Sequence, residues 1–114
     1  MLDLNHIVPL IVLTRDRDGG SIYCGDDGLP RIDYSVSKHD HVSLTEGIDR
    51  SLRILVAAGA KAVWTSQRGL EEFKVNPELG QNDPAFEKFI KQMKSIGFGP
   101  GIAQVGSAHQ MGTW

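Results

Sequence analysis

The sequence has 114 residues, is 40% apolar and 23% charged, and carries a formal net charge of −2. Those values suit one compact soluble domain or part of a larger one. Lys and Arg are not clustered, which excludes a nucleic-acid footprint. The single cysteine, Cys24, excludes an internal disulfide framework and a Cys-based zinc site, and it fits a reducing, intracellular compartment.

The first element expected is a strand over Ile7–Leu13, a short, β-branched and almost continuously apolar run of the kind buried on both faces. Pro9 places it at a strand start or a free edge. The run is too short to be a transmembrane segment and lacks the basic start and cleavage site of a signal peptide. Turn residues from Arg15 to Gly20 break the pattern. Ser21–Cys24 and Arg31–Val36 then predict a hairpin around the Gly25-Asp-Asp-Gly28 turn, with Ile32, Tyr34 and Val36 on one buried face and the other face wet.

Ser37 and Asp40 have the spacing of a capping-box-like helix start. Leu44, Ile48, Leu52 and Leu55 follow at helical intervals, Gly47 weakens the interior by about 1 kcal/mol relative to Ala, and Gly59 is a left-handed C-terminal cap. Ala62–Thr65 reads as a further strand and 67–81 as a polar surface loop. Asp83 and Pro84 open a second helix with the stripe Phe86, Phe89, Ile90, Met93 and Ile96, closed by Gly97. A glycine-rich stretch, 97–106, leads into Ser107-Ala-His-Gln-Met-Gly-Thr-Trp114. The apolar first strand has few partners in the chain, and the motif-like ending is followed by no further element. The sequence therefore reads as the interior of a larger α+β domain.

Most features that invite a chemical reading have a plainer one. Gly97-Phe-Gly-Pro-Gly101 follows a helix instead of a strand, and Pro100 and Ile102 interrupt any dinucleotide fingerprint, so it reads as a loop. Asp16, Asp18 and Gly19 lack the later oxygen ligands of a calcium loop. His39 and His41, two apart on a helix, point to different sides and read as an exposed terminus, not a metal pair. His6 reads as structural or surface. Cys24, beside Asp26 and Asp27, reads as an inert thiol. The Leu44–Leu55 stripe is ordinary core, not a lipid tunnel. His109 stands among small residues (Gly106, Ser107, Ala108, Gly112) that let a backbone approach a planar ligand, and imidazole is the usual general base near neutral pH. Without a visible partner in the sequence, it reads as structural from chemistry alone.

Ser107-Ala-His-Gln-Met-Gly-Thr113 resembles the active-site histidine segment of glucose-methanol-choline (GMC) oxidoreductases, in the form of the long-chain fatty alcohol oxidase branch. Arg15–Gly20, Pro30–Tyr34 and Leu52–Ala60 resemble the same branch in the same order, so the resemblance covers nearly the whole chain. It implies an α+β fold, an antiparallel sheet backed by helices, with residues 1–114 an incomplete part of the substrate-binding domain and the FAD-binding domain absent. It implies that His109 is the catalytic base, taking the hydroxyl proton of a long-chain primary alcohol while hydride passes to FAD, which dioxygen reoxidises with release of hydrogen peroxide. The substrate's partition into membranes leaves room for a membrane-associated parent enzyme. Trp114 stands where the family has Cys, and the family's second active-site residue, His or Asn, lies beyond the matched motif. The isolated chain is accordingly expected to be inactive, to bind FAD weakly or not at all, and to be marginally stable. The alternative is a non-catalytic truncated fragment or small binding module.

Overall fold

The computed structural model describes residues 6–106. Two helices and two short antiparallel strand pairs make up an α+β unit, as expected. The strands form two separate two-stranded pairs, not one continuous sheet.

The first pair is a hairpin of β1 (Ser21–Cys24) and β2 (Pro30–Asp33), with Ser21 opposite Asp33 and Cys24 opposite Pro30. The turn closes through Gly25 N–H to the Leu29 carbonyl at 2.8 Å, with Gly28 at φ 77°. The Asp27 carboxylate accepts from Leu29 N–H at 3.1 Å and from the Arg31 guanidinium at 2.6 Å. The hairpin differs from expectation in burial. Every residue of both strands is exposed, and the directly opposed Ile22 and Ile32 are 70% and 76% exposed. Alternation along a strand specifies two faces but not that anything covers the apolar one.

The expected strand over 7–13 is not formed. Among the described residues the segment pairs with no other strand, and Ile11 and Leu13 are 84% and 86% exposed. A continuous apolar run carries no information about its partner. Only Val12 reaches the core, and it does so over Gly47 of the first helix, where a Cβ would collide with Val12 Cγ1. Gly47, a liability by helix propensity, is what admits Val12.

Helix α1 (Lys38–Ala57) begins as its sequence indicates: Ser37 Oγ accepts from Asp40 N–H at 3.1 Å. It ends in a Schellman arrangement, with Gly59 N–H on the Val56 carbonyl and Ala60 N–H on the Leu55 carbonyl, and Gly59 at φ 90°. After it, β3 (Ala62–Val63) pairs with β4 (Phe73–Lys74), Val63 opposite Phe73. Trp64 and Thr65 lie outside the strand, and the expected featureless loop 67–81 instead supplies β4 and the start of a 3₁₀ turn, Gly80–Asn82. Helix α2 (Pro84–Ile96) has Asp83 accepting from Ala85 N–H at 2.8 Å, Pro84 in its first turn, and Gly97 at φ 70° closing it.

The core lies between α1 and α2: Leu44, Leu52 and Val56 face Phe86, Phe89, Ile90 and Met93, with Val63, Leu70 and Phe98 completing it. Phe73 packs into it from β4 in tilted ring contacts, with centroids 5.5 Å from Phe86 and 5.4 Å from Phe89. Such aromatic contacts add to area burial about 0.5–1.5 kcal/mol each.

Candidate functional site

His109, the one residue the motif marks as catalytic, lies outside the described residues, as do Ser107 to Trp114. What the structure describes is the segment leading toward it, 97–106, and the side chains that hold that segment.

Three anchors fix it. Phe98 buries its ring in the core at 4% exposure, edge-on to the His41 imidazole with centroids 6.1 Å apart. Its backbone N–H donates to His41 Nε2 at 2.7 Å, with that ring nitrogen as the acceptor. The buried Gln67 amide donates from Nε2 to the Met93 carbonyl at 2.9 Å and the Gly97 carbonyl at 2.6 Å, while its Oε1 accepts from Thr65 Oγ1 at 2.9 Å. Gln67 thus gives the Gly97 carbonyl a donor and the Met93 carbonyl, which already accepts from Gly97 N–H, a second one. Further on, Arg68 N–H donates to the Ile102 carbonyl at 2.7 Å, and Ile102 N–H closes a turn on the Gly99 carbonyl at 3.0 Å. At Gly97, a Cβ would sit 2.9 Å from His41 Cε1, and φ is positive, so both space and backbone require glycine.

His41 therefore corrects the expectation of an exposed helix terminus: it bridges α1 to the end of α2, while His39 is exposed. Neither its bridging role nor that of Gln67 had a signal in the sequence.

A second polar cluster ties the 15–20 loop to the start of α1. The buried Asp40 carboxylate accepts from Arg17 N–H at 2.9 Å, Asp18 N–H at 3.3 Å and Ser37 Oγ–H at 2.9 Å. A full capping box would have Asp40 reach back to the Ser37 N–H; here it captures a distant loop instead. The Arg17 N–H holds the Asp40 carboxyl below its ordinary value, with Ser37 and Asp18 adding to this against the opposing effect of burial. The Arg17 guanidinium, and then Ser37, hold the Asp18 carboxyl down to about 2. Tyr34 Oη–H donates to Asp16 at 2.9 Å, and that bond raises the phenol above its usual range. The loop that suggested calcium is a set of side chains bonded to one another.

A third cluster staples α1 to α2. Arg53 bonds Glu87 through its two terminal guanidinium nitrogens, at 2.6 and 3.1 Å, bonds Asp49 through Nε at 2.7 Å, and lies 5.6 Å over the Phe86 ring. Lys94 reaches the other Asp49 oxygen at 2.5 Å. Arg53 lowers the Glu87 carboxyl; burial pushes Asp49 up, but the bonds from Lys94 and Arg53 outweigh it and leave Asp49 lowered.

Elsewhere, an open depression of about 650 Å³ lies between the end of α1 and the β3–β4 pair, lined by Val56, Ala60, Lys61, Val75 and Pro77 among others. It shares no lining residue with 97–106. Among the described residues, no group of three or more His, Cys, Asp or Glu side chains is placed to hold a metal ion, and no helix is long and apolar enough to cross a membrane. Cys24 is an exposed free thiol.

No protein-family model matches the chain, and no solved structure matches it. Three curated proteins of Arabidopsis thaliana do. Long-chain-alcohol oxidase FAO4A is 31% identical over 113 residues, FAO3 33% over 117 and FAO4B 28% over 120, each alignment covering 99% of this chain. The chain spans about 15% of the length of each of these relatives. Along nearly its whole length the chain is thus similar to one segment of the long-chain-alcohol oxidases, enzymes of the GMC family.

Proposed function

We propose that this chain is a segment of the substrate-binding part of a long-chain alcohol oxidase, in which His109 is the catalytic base. The reaction is oxidation of a long-chain primary alcohol to its aldehyde, with dioxygen reduced to hydrogen peroxide and FAD as the cofactor. The observation that carries the reading is the similarity to three long-chain-alcohol oxidases over 99% of the chain, with the His109 motif in place at its end.

The chemistry asked of His109 is specific. A carbinol C–H is a poor hydride donor until its oxygen carries negative charge, and an imidazole beside the hydroxyl takes that proton at the required point. The role of the described residues is positional. His41, Gln67 and Arg68 hold the segment that ends three residues before His109.

The described residues do not fit FAD's pyrophosphate. That group needs a glycine turn running from a strand into a helix N-terminus, whereas Gly97–Gly101 follows the C-terminus of α2 and leads into a turn. No flavin contact is assigned to residues 6–106, and in this reading the cofactor is held by other parts of the oxidase.

The purified chain mixed with FAD and a long-chain primary alcohol is expected to release no hydrogen peroxide, and calorimetry is expected to find no micromolar FAD binding. Peroxide release that disappears in His109→Ala would show that the chain alone assembles a working site and would overturn the assignment of the flavin to other parts.

A further inference from the structure

We propose that His41 and the Phe98 backbone form a pH-sensitive latch where the chain leaves α2, fastening or releasing the Phe98 amide. The contact is made by a backbone donor, Phe98 N–H, and a ring acceptor, His41 Nε2, at 2.7 Å. A protonated imidazole has N–H on both nitrogens and cannot accept. The latch is closed when the ring is neutral. On protonation it opens, because two N–H groups then face each other.

The surroundings leave the imidazole as the group that decides. On α1 the charged neighbours are Lys38, one turn earlier, and Asp40, whose carboxylate is taken by Arg17 and Asp18. On α2 the last-turn Lys94 is paired with Asp49. The facing segment, Gly97 to Gly106, contains no charged residue. Among the described residues, no carboxylate bonds the His41 ring to hold an imidazolium in place once it forms.

The fold lets the Phe98 peptide turn when the latch opens. Gly97 and Gly101 already sit at positive φ, 70° and 74°, and the glycines on either side of Phe98 offer pivots. The Gln67 bond to the Gly97 carbonyl, the Arg68 bond to the Ile102 carbonyl and the buried Phe98 ring do not titrate, so the opening is confined to the Phe98 amide. The consequence for His109, three residues past the segment, rests on the proposed oxidase reading. The latch itself does not.

Amide hydrogen exchange of the full chain tests it, with protection factors corrected for the intrinsic exchange rate and the His41 ring titrated by its own Hε1 resonance. Protection at Phe98 is expected to fall about tenfold across the titration of the His41 ring that the same experiment records, the factor one net hydrogen bond supplies. Met93, inside α2, should keep its protection. His41→Gln places a non-titrating carbonyl oxygen near the Nε2 position and should keep Phe98 protected throughout; His41→Leu should leave its protection about tenfold lower throughout. A fall at Phe98 that persists in His41→Gln, a fall shared equally by Met93, or constant protection while the His41 ring titrates would each overturn the latch. None of these readouts involves alcohol or flavin, so failure here is distinct from failure of the oxidase reading.

Discussion

Replacing Gln67 by Leu removes the amide that serves two carbonyls at the end of α2, and its cost can be worked from the contacts. The Met93 carbonyl keeps a second donor, Gly97 N–H at 3.1 Å, so it loses one bond of two. The Gly97 carbonyl loses its bond of 2.6 Å at a site where Gln67 itself is 4% exposed. One net hydrogen bond is worth about 1 kcal/mol, and a buried acceptor left without a donor costs about 1–3 kcal/mol. Leu restores about 1 kcal/mol through its apolar surface. The expected net loss is about 2 kcal/mol, a large share of a marginal total. Urea unfolding followed by far-ultraviolet circular dichroism would measure it. Gln67→Glu should be worse at neutral pH than Gln67→Leu, because an acceptor then faces two carbonyls, and should recover on acidification as the carboxyl gains a proton to donate. If Gln67→Leu stays within about 0.5 kcal/mol of the parent, as substitutions away from such features do, the anchoring role given to Gln67 is wrong.

Gly47→Ala should not bring the gain of about 1 kcal/mol that helix propensity promises, because the new methyl meets Val12 Cγ1; adding Val12→Ala should restore much of that gain in the same unfolding assay. A double-mutant cycle between Arg53 and Glu87 should give a coupling of about 0.5–1 kcal/mol despite the two-bond geometry, since the side chains are 32% and 46% exposed and water screens them. Acid should unfold the chain over a defined window. Asp18, Asp40, Asp49 and Glu87 are all lowered in the folded chain, so their contribution is full above the ordinary carboxylate range and fades as pH falls through the folded values toward about 2. A thermal midpoint that stays level between pH 5 and pH 2, or rises, would contradict those assignments.

The helices were legible because their signals are local. Ser37, Gly59, Asp83 with Pro84, and Gly97 each act within a turn of where they stand, and each does what its position predicts. The core stripe of α2 was readable for the same reason. The strands were harder. Ile7–Leu13 has a strand's composition but no partner among the described residues, while Phe73–Lys74 is a strand of two residues with no periodicity to reveal it. The contacts that hold 97–106 were beyond reach: His41 meets Phe98 57 residues away, and Gln67 meets Gly97 30 residues away. The marker of function was of another kind, a short motif around His109 whose meaning comes from resemblance and not from packing.

The central claim is that this chain is an oxidase segment whose His109 takes a proton from a long-chain alcohol, and a chimera tests it most directly. The chain would replace the matching 15% of long-chain-alcohol oxidase FAO4A, and the chimera, once shown to be monodisperse and folded by circular dichroism, would be assayed for peroxide with a long-chain primary alcohol. The account predicts peroxide release that falls by at least about a hundredfold in His109→Ala, the scale of a lost general base. A folded chimera that releases no peroxide, or one whose activity survives His109→Ala, would contradict it.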